Sequence, residues 1–63
     1  MDVDVVTRRV QAEFEEMPGM TLTMPQASRL FGIEREICKM IVERLVRTSY
    51  LKWTAAGSFT RAA

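Results

Sequence analysis

Along the first quarter of the chain, apolar residues recur at Val6, Val10, Phe14 and Met17, spaced by four, four and three. That spacing puts them in one stripe of a helix, with Arg8, Arg9, Glu13, Glu15 and Glu16 largely outside it. Asp2 or Asp4 is suited to cap the helix start, beside the positive end of its dipole. Pro18-Gly19 stops it, because proline disfavours helical geometry in Met17 and glycine turns readily.

Thr21-Leu22-Thr23 is too short to stand as a strand alone but can pair with a hairpin elsewhere. Thr23-Met24-Pro25-Gln26 has the spacing of a capping box, and Pro25 falls in the first turn, where its missing N–H costs nothing. Met24, Ala27, Leu30 and Phe31 then form the inward face of a short helix. Gly32 ends it as a left-handed cap, with Ile33 folding back as the apolar partner. A third helix is expected over about 34–48. Cys38, Ile41, Val42 and Leu45 make its stripe, flanked by Ile37 and Val46, while Glu36, Lys39, Met40, Glu43 and Arg47 lie mostly on the other side.

The remaining stretch, 50–61, reads as a hairpin around a three-residue loop, Ala55-Ala56-Gly57, with Gly57 supplying a positive φ. This register sets Trp53 opposite Phe59. Leu51, Trp53 and Phe59 share one face, and Tyr50, Lys52, Thr54, Ser58 and Thr60 the other. Trp53 is expected to bury against the first helix; the alternative is an exposed anchor for dimerisation. Met17, Met20 and Met24 read as core fillers, and Met40 as the one exposed internal methionine.

Composition adds limits. The chain has 63 residues, 48% apolar and 27% charged, which suits one small globular domain over 1–63. No apolar run nears the roughly 18 residues of a membrane span, and the start does not resemble a signal peptide. Cys38 has no partner for a disulfide, so the expectation is a cytoplasmic protein without membrane contact. The net charge of +1 hides an asymmetry: two arginines against five carboxylates in residues 1–20, seven cations against three carboxylates in residues 21–63. A basic remainder behind an acidic first helix points to an anionic partner.

Enzyme chemistry lacks its parts. There is no histidine, and the three glycines are spread along the chain rather than gathered in a phosphate loop. The acidic pairs Glu13/Glu16 and Glu34/Glu36 fall on helix exteriors, with no apolar pocket to tune a pKa. A lone cysteine without histidine supplies no metal site. No cofactor, metal or small-molecule substrate is expected.

The whole pattern, mostly α with a small antiparallel β-sheet in the order α-β-α-α-β-β, resembles the winged helix-turn-helix family of bacterial transcription regulators. Ala27, Phe31, Ile33, Cys38 and Ile41 fill that motif's apolar positions, and Gly32 sits at its turn. The segment from Leu45 to Thr54, with Gly57 and Phe59, is similar to the wing. The likeness covers about residues 6–62. Ser28 stands where the family most often has alanine, and Trp53 where many members carry a basic residue.

The resemblance implies double-stranded DNA binding, by a complete regulator or by the DNA-binding part of one, with the third helix in the major groove and the hairpin on flanking backbone. Arg35, Glu36, Lys39 and Met40 are then the base-reading candidates: Arg or Lys pairs with guanine, Glu accepts from cytosine N4, and Met meets a thymine methyl. Thr23, Gln26, Arg29, Arg44, Arg47, Lys52, Thr54, Ser58 and Arg61 are the phosphate candidates. Glu34, Glu36 and Glu43 oppose phosphate attraction. A single small reader of modest charge binds weakly, so a homodimer or further domains are implied for specificity. The competing reading is a protein-interaction module on the same fold, using the Trp53 hairpin or the acidic first helix.

Overall fold

In a computed structural model, which describes residues 2–62, the first apolar stripe folds as α1, Val3–Glu16. Asp2 is the cap: its carboxylate accepts from the backbone N–H groups of Asp4 and Val5 at 3.0 and 3.4 Å. The second helix, α2, spans Met24–Phe31 behind the capping box anticipated from Thr23 and Gln26. Thr23 Oγ1 accepts from the Gln26 N–H at 3.3 Å, and Gln26 Oε1 accepts from the Thr23 N–H at 2.9 Å. Gly32, at φ +65°, closes α2, and the Ile33 N–H folds back onto the Ser28 carbonyl at 3.1 Å.

The third helix, α3, covers Arg35–Arg47, with Glu34 and Thr48 as its flanking caps. It ends in a feature the sequence did not announce. Ser49 takes the left-handed conformation, φ +66°, and the Tyr50 N–H returns to the Leu45 carbonyl at 2.8 Å. The strand that follows can therefore start directly over the helix it has just left.

Three short strands, β1 (Thr21–Leu22), β2 (Leu51–Trp53) and β3 (Phe59–Arg61), form an antiparallel sheet in the order β1-β3-β2. Leu22 and Trp53 both pair with Phe59, and Thr21 and Lys52 both pair with Thr60. Thr23, expected both at the end of this strand and as the cap of α2, lies outside the strand and serves as the cap. The hairpin loop is Ala55–Gly57. The Thr54 N–H donates to the Ser58 carbonyl at 2.8 Å, and Gly57 sits at φ +81°. The chain is thus mostly helical with a small antiparallel sheet, in the winged-helix element order α-β-α-α-β-β.

The core lies between the helices and the inner face of the sheet. Phe14 and Phe59 are fully buried with ring centroids 6.2 Å apart, and they join α1 to the central strand. Burying each such side chain contributes about 1.5–3 kcal/mol. Cys38, Ile41, Val42, Leu45 and Leu51 complete the α3 side, as the stripe required.

Three apolar positions depart from expectation, each about half-exposed: Met17, Leu30 and Trp53. Met17 lies past the last helical turn, where the backbone has left helical geometry and the stripe no longer aims inward. A two-turn helix buries only a narrow line, which Ala27 and Phe31 fill, so Leu30 falls beside it. Phe59 occupies the place against α1 that was expected for Trp53. Trp53, on the edge strand, packs edge-on to Phe59 with centroids 5.8 Å apart.

Candidate nucleic-acid interface

At 100° per residue, the four buried positions of α3, Cys38, Ile41, Val42 and Leu45, set its inward direction. Glu36, Met40, Glu43 and Arg47 then line the opposite side, and all four are exposed. Arg35 and Lys39, also exposed, flank that strip on one side, and Arg44 on the other, nearest α1. The four base-reading candidates, Arg35, Glu36, Lys39 and Met40, therefore share one open surface of the first half of α3. That surface is of mixed sign, with Glu36 on it and Glu43 on the same strip two turns further along.

The phosphate candidates divide into three groups. Arg29, Arg47 and Lys52 are exposed, as are Arg35 and Lys39, and none of these five takes part in a salt bridge among the described residues. Thr23, Gln26 and Thr54 already serve the backbone. Thr23 and Gln26 are locked in the capping box, and Thr54 Oγ1 accepts from the Ser58 N–H at 3.2 Å. Each acts there as an acceptor, so the hydroxyl hydrogens and the Gln26 amide still have donors to offer an anion. Ser58 lies beside them, partly covered.

Arg44 and Arg61 form the third group, and both are drawn toward α1. Arg44 Nη1 stands 3.4 Å from Asp4 Oδ1, an exposed and therefore weak pair. Arg61 pairs across the sheet with Leu51, which puts it on the inner face rather than the outer one expected of a backbone contact. Its Nη1 donates to Glu15 Oε2 at 2.7 Å, its guanidinium lies 5.0 Å from the centre of the Tyr50 ring, and its Nε is buried without a partner among the described residues. Arg61 is accordingly a structural residue. Tyr50, expected on the outer face with Lys52, turns toward α1 as well and donates to the Gln11 carbonyl at 3.1 Å. Burial, with the Glu15 carboxylate adding to it, pushes the Tyr50 hydroxyl above its ordinary pKa of 10.0, against the opposing influence of Arg61.

The residues that sequence reasoning missed are Asp4 and Glu15. Asp4 draws Arg44 weakly and Glu15 withdraws Arg61 from the free positive charge, across 40 and 46 positions of chain. No local spacing signals such long-range pairs. Cys38 is buried within the core, which pushes its thiol pKa up and leaves it unreactive. Among the described residues no group of His, Cys, Asp or Glu side chains is placed to hold a metal ion, and no helix is long and apolar enough to cross a membrane. No protein-family model matches the chain, and neither a curated protein nor a solved structure shows significant similarity to it.

Proposed function

We propose that the domain binds double-stranded DNA as a winged-helix transcription regulator, or as the DNA-binding part of one, with α3 in the major groove and the hairpin on flanking backbone. The reading is supported chiefly by the sorting of charge. Glu15 of α1 holds Arg61 and Asp4 stands weakly against Arg44, while Arg29, Arg35, Lys39, Arg47 and Lys52 are exposed on α2, α3 and the hairpin and take part in no salt bridge among the described residues. Association is driven by these cations, and selectivity comes from Arg35, Glu36, Lys39 and Met40. Glu36 and Glu43 weaken phosphate attraction, so a dimer or an additional domain is needed for tight binding. The place of action is the cytoplasm, where the lone thiol stays reduced.

Titration of the wild type and of an Arg35→Ala/Lys39→Ala variant against a random duplex at low salt tests this. The wild type binds with an affinity that falls as salt rises, and the variant loses most of it. Absence of salt-dependent binding by the wild type would falsify the proposal. The second reading, a protein-interaction module, draws on one observation, the 45% exposure of Trp53.

A further inference from the structure

We infer that the outer face of α1 is a self-association surface, on which a second copy of this chain packs antiparallel about a two-fold axis at Ala12. The inference goes beyond the DNA-binding reading and does not depend on it.

At 100° per residue, buried Thr7, Val10 and Phe14 set the inward direction of α1. Val5, Ala12 and Glu16 then lie on the opposite side, Arg8 and Arg9 flank that line, and Glu15 stands at its edge. All six are exposed. Charge is sorted along this face. Arg8 and Arg9 precede Ala12 by four and three positions, and Glu15 and Glu16 follow it by three and four. Arg8 and Glu16 are two turns of helix apart, about 12 Å, so they do not pair within one copy. Neither takes part in a salt bridge among the described residues, and Arg8 Nε reaches the Asp4 carbonyl only at 3.4 Å. Arg9 and Glu15 are partly engaged: Arg9 Nη1 donates to the Phe31 carbonyl at 3.3 Å, and Glu15 Oε2 accepts from Arg61.

In an antiparallel pair centred on Ala12, positions equally far before and after it come level with one another. Arg8 of each copy therefore meets the Glu15–Glu16 end of the other, twice by symmetry. A parallel pair would set like charges side by side. The small Ala12 side chain at the axis allows close approach of the helices, about 8 Å between axes. Val5 of each copy lies toward the Met17 end of the other, and both residues are about half-exposed. Other occupants match only half of the face. An acidic partner, nucleic acid included, meets the arginines but is repelled by Glu15 and Glu16, and a basic partner meets the reverse. The complement is a helix whose charges run in the opposite order, which α1 turned end for end supplies. The contact is one helix pair about 21 Å long, so association is weak and sensitive to concentration and salt. No candidate DNA-contacting residue lies on α1, and the pairing leaves them all open.

Sedimentation equilibrium of the full chain without DNA, over a range of concentration at low and high salt, tests this. The wild type is expected to dimerise at low salt and to dissociate as salt rises. Arg8→Glu alone and Glu16→Arg alone should each weaken self-association by roughly tenfold, since each turns both symmetric pairs repulsive. An equimolar mixture of the two variants should associate again, because one copy then carries two carboxylates and the other two arginines. The double variant Arg8→Glu/Glu16→Arg should regain the wild-type behaviour. Recovery in the mixture also shows that both single variants are folded. A wild type that stays monomeric at every concentration overturns the inference. So does a mixture that associates no better than its components. Self-association that survives both reversals but is lost in Trp53→Ala overturns it as well and moves the contact to the hairpin.

Discussion

Arg61 Nη1 lies 2.7 Å from Glu15 Oε2, tying the central strand of the sheet to the last turn of α1. The arginine side chain is mostly covered, at 24% exposure, whereas that of Glu15 is 60% exposed. A pair with one wet partner is screened, so the expected coupling is modest, below about 1 kcal/mol in a double-mutant cycle of Glu15→Ala and Arg61→Ala. Arg61→Ala alone costs more than that coupling, because the stem and guanidinium also cover Tyr50. Equilibrium unfolding in urea measures both quantities. Equal losses for the two single variants would show that Arg61 acts only through its charge.

Arg61 and Lys39 should also separate in DNA binding. Lys39 is exposed and takes part in no salt bridge among the described residues, so Lys39→Ala lowers affinity and reduces the slope of log K against log salt by about 1. Arg61→Ala leaves that slope unchanged at temperatures where the variant is folded, since its charge is already matched by Glu15. A reduced slope for Arg61→Ala would return it to the interface.

Ser49 offers a gain in stability. It is the one described non-glycine residue with positive φ, at +66°, and it is exposed at the exit of α3. A side chain there holds a conformation that glycine adopts without steric cost. Ser49→Gly is expected to stabilise by up to about 1 kcal/mol, and Ser49→Val to destabilise by more, since β-branching makes the left-handed region worse. Thermal melts of the two variants decide it. Melting of Ser49→Gly at or below the wild-type temperature would show that this turn is not strained.

Much of this fold was legible in the chain because its signals are local. The capping box of Thr23 and Gln26, the Gly32 turn, the α3 stripe and the Gly57 loop each depend on residues within a few positions of one another. What was not legible depends on distance or on competition. Leu30 and Trp53 carry the right periodicity but lose their places to Phe31 and Phe59, and only the packed geometry reveals which of two apolar neighbours wins. The candidate interface shows the same division. The exposure of Arg35, Glu36, Lys39 and Met40 follows from helical periodicity, whereas the weak draw on Arg44 and the withdrawal of Arg61 required knowing where α1 lies.

Alkaline conditions should weaken the fold through two groups. Cys38 and Tyr50 both have pKa values raised by burial above their ordinary values of 9.0 and 10.0. A raised acid pKa means that the folded state holds its proton after the unfolded chain has released it. The resulting stability is fully present below the unfolded-state value and is lost as pH climbs through the folded-state value. Urea midpoints should therefore fall from about pH 9 upward, first from Cys38 and then from Tyr50. Tyr50→Phe should flatten the upper part of that fall while losing the bond to the Gln11 carbonyl at neutral pH. An unchanged profile in Tyr50→Phe would assign the alkaline loss elsewhere.

The acidic residues on the exposed strip of α3 provide the most direct test of which way this helix faces. Glu36 and Glu43 lie two turns apart on the exposed strip with Met40 between them, and neither belongs to a salt bridge among the described residues. On a helix seated in the major groove, Glu43 adds repulsion from phosphates, whereas Glu36, nearer the helix start, can also accept from a cytosine amino group. Glu43→Gln is then expected to raise affinity several-fold for every duplex, with the gain shrinking as salt is added. Glu36→Gln should raise affinity for random duplex in the same way but lower the discrimination between cognate and non-cognate sites selected from a random pool. Removing either carboxylate leaves the folded core untouched, so melting temperatures should move little. If neither substitution changes DNA affinity at low salt, this face of α3 does not meet DNA.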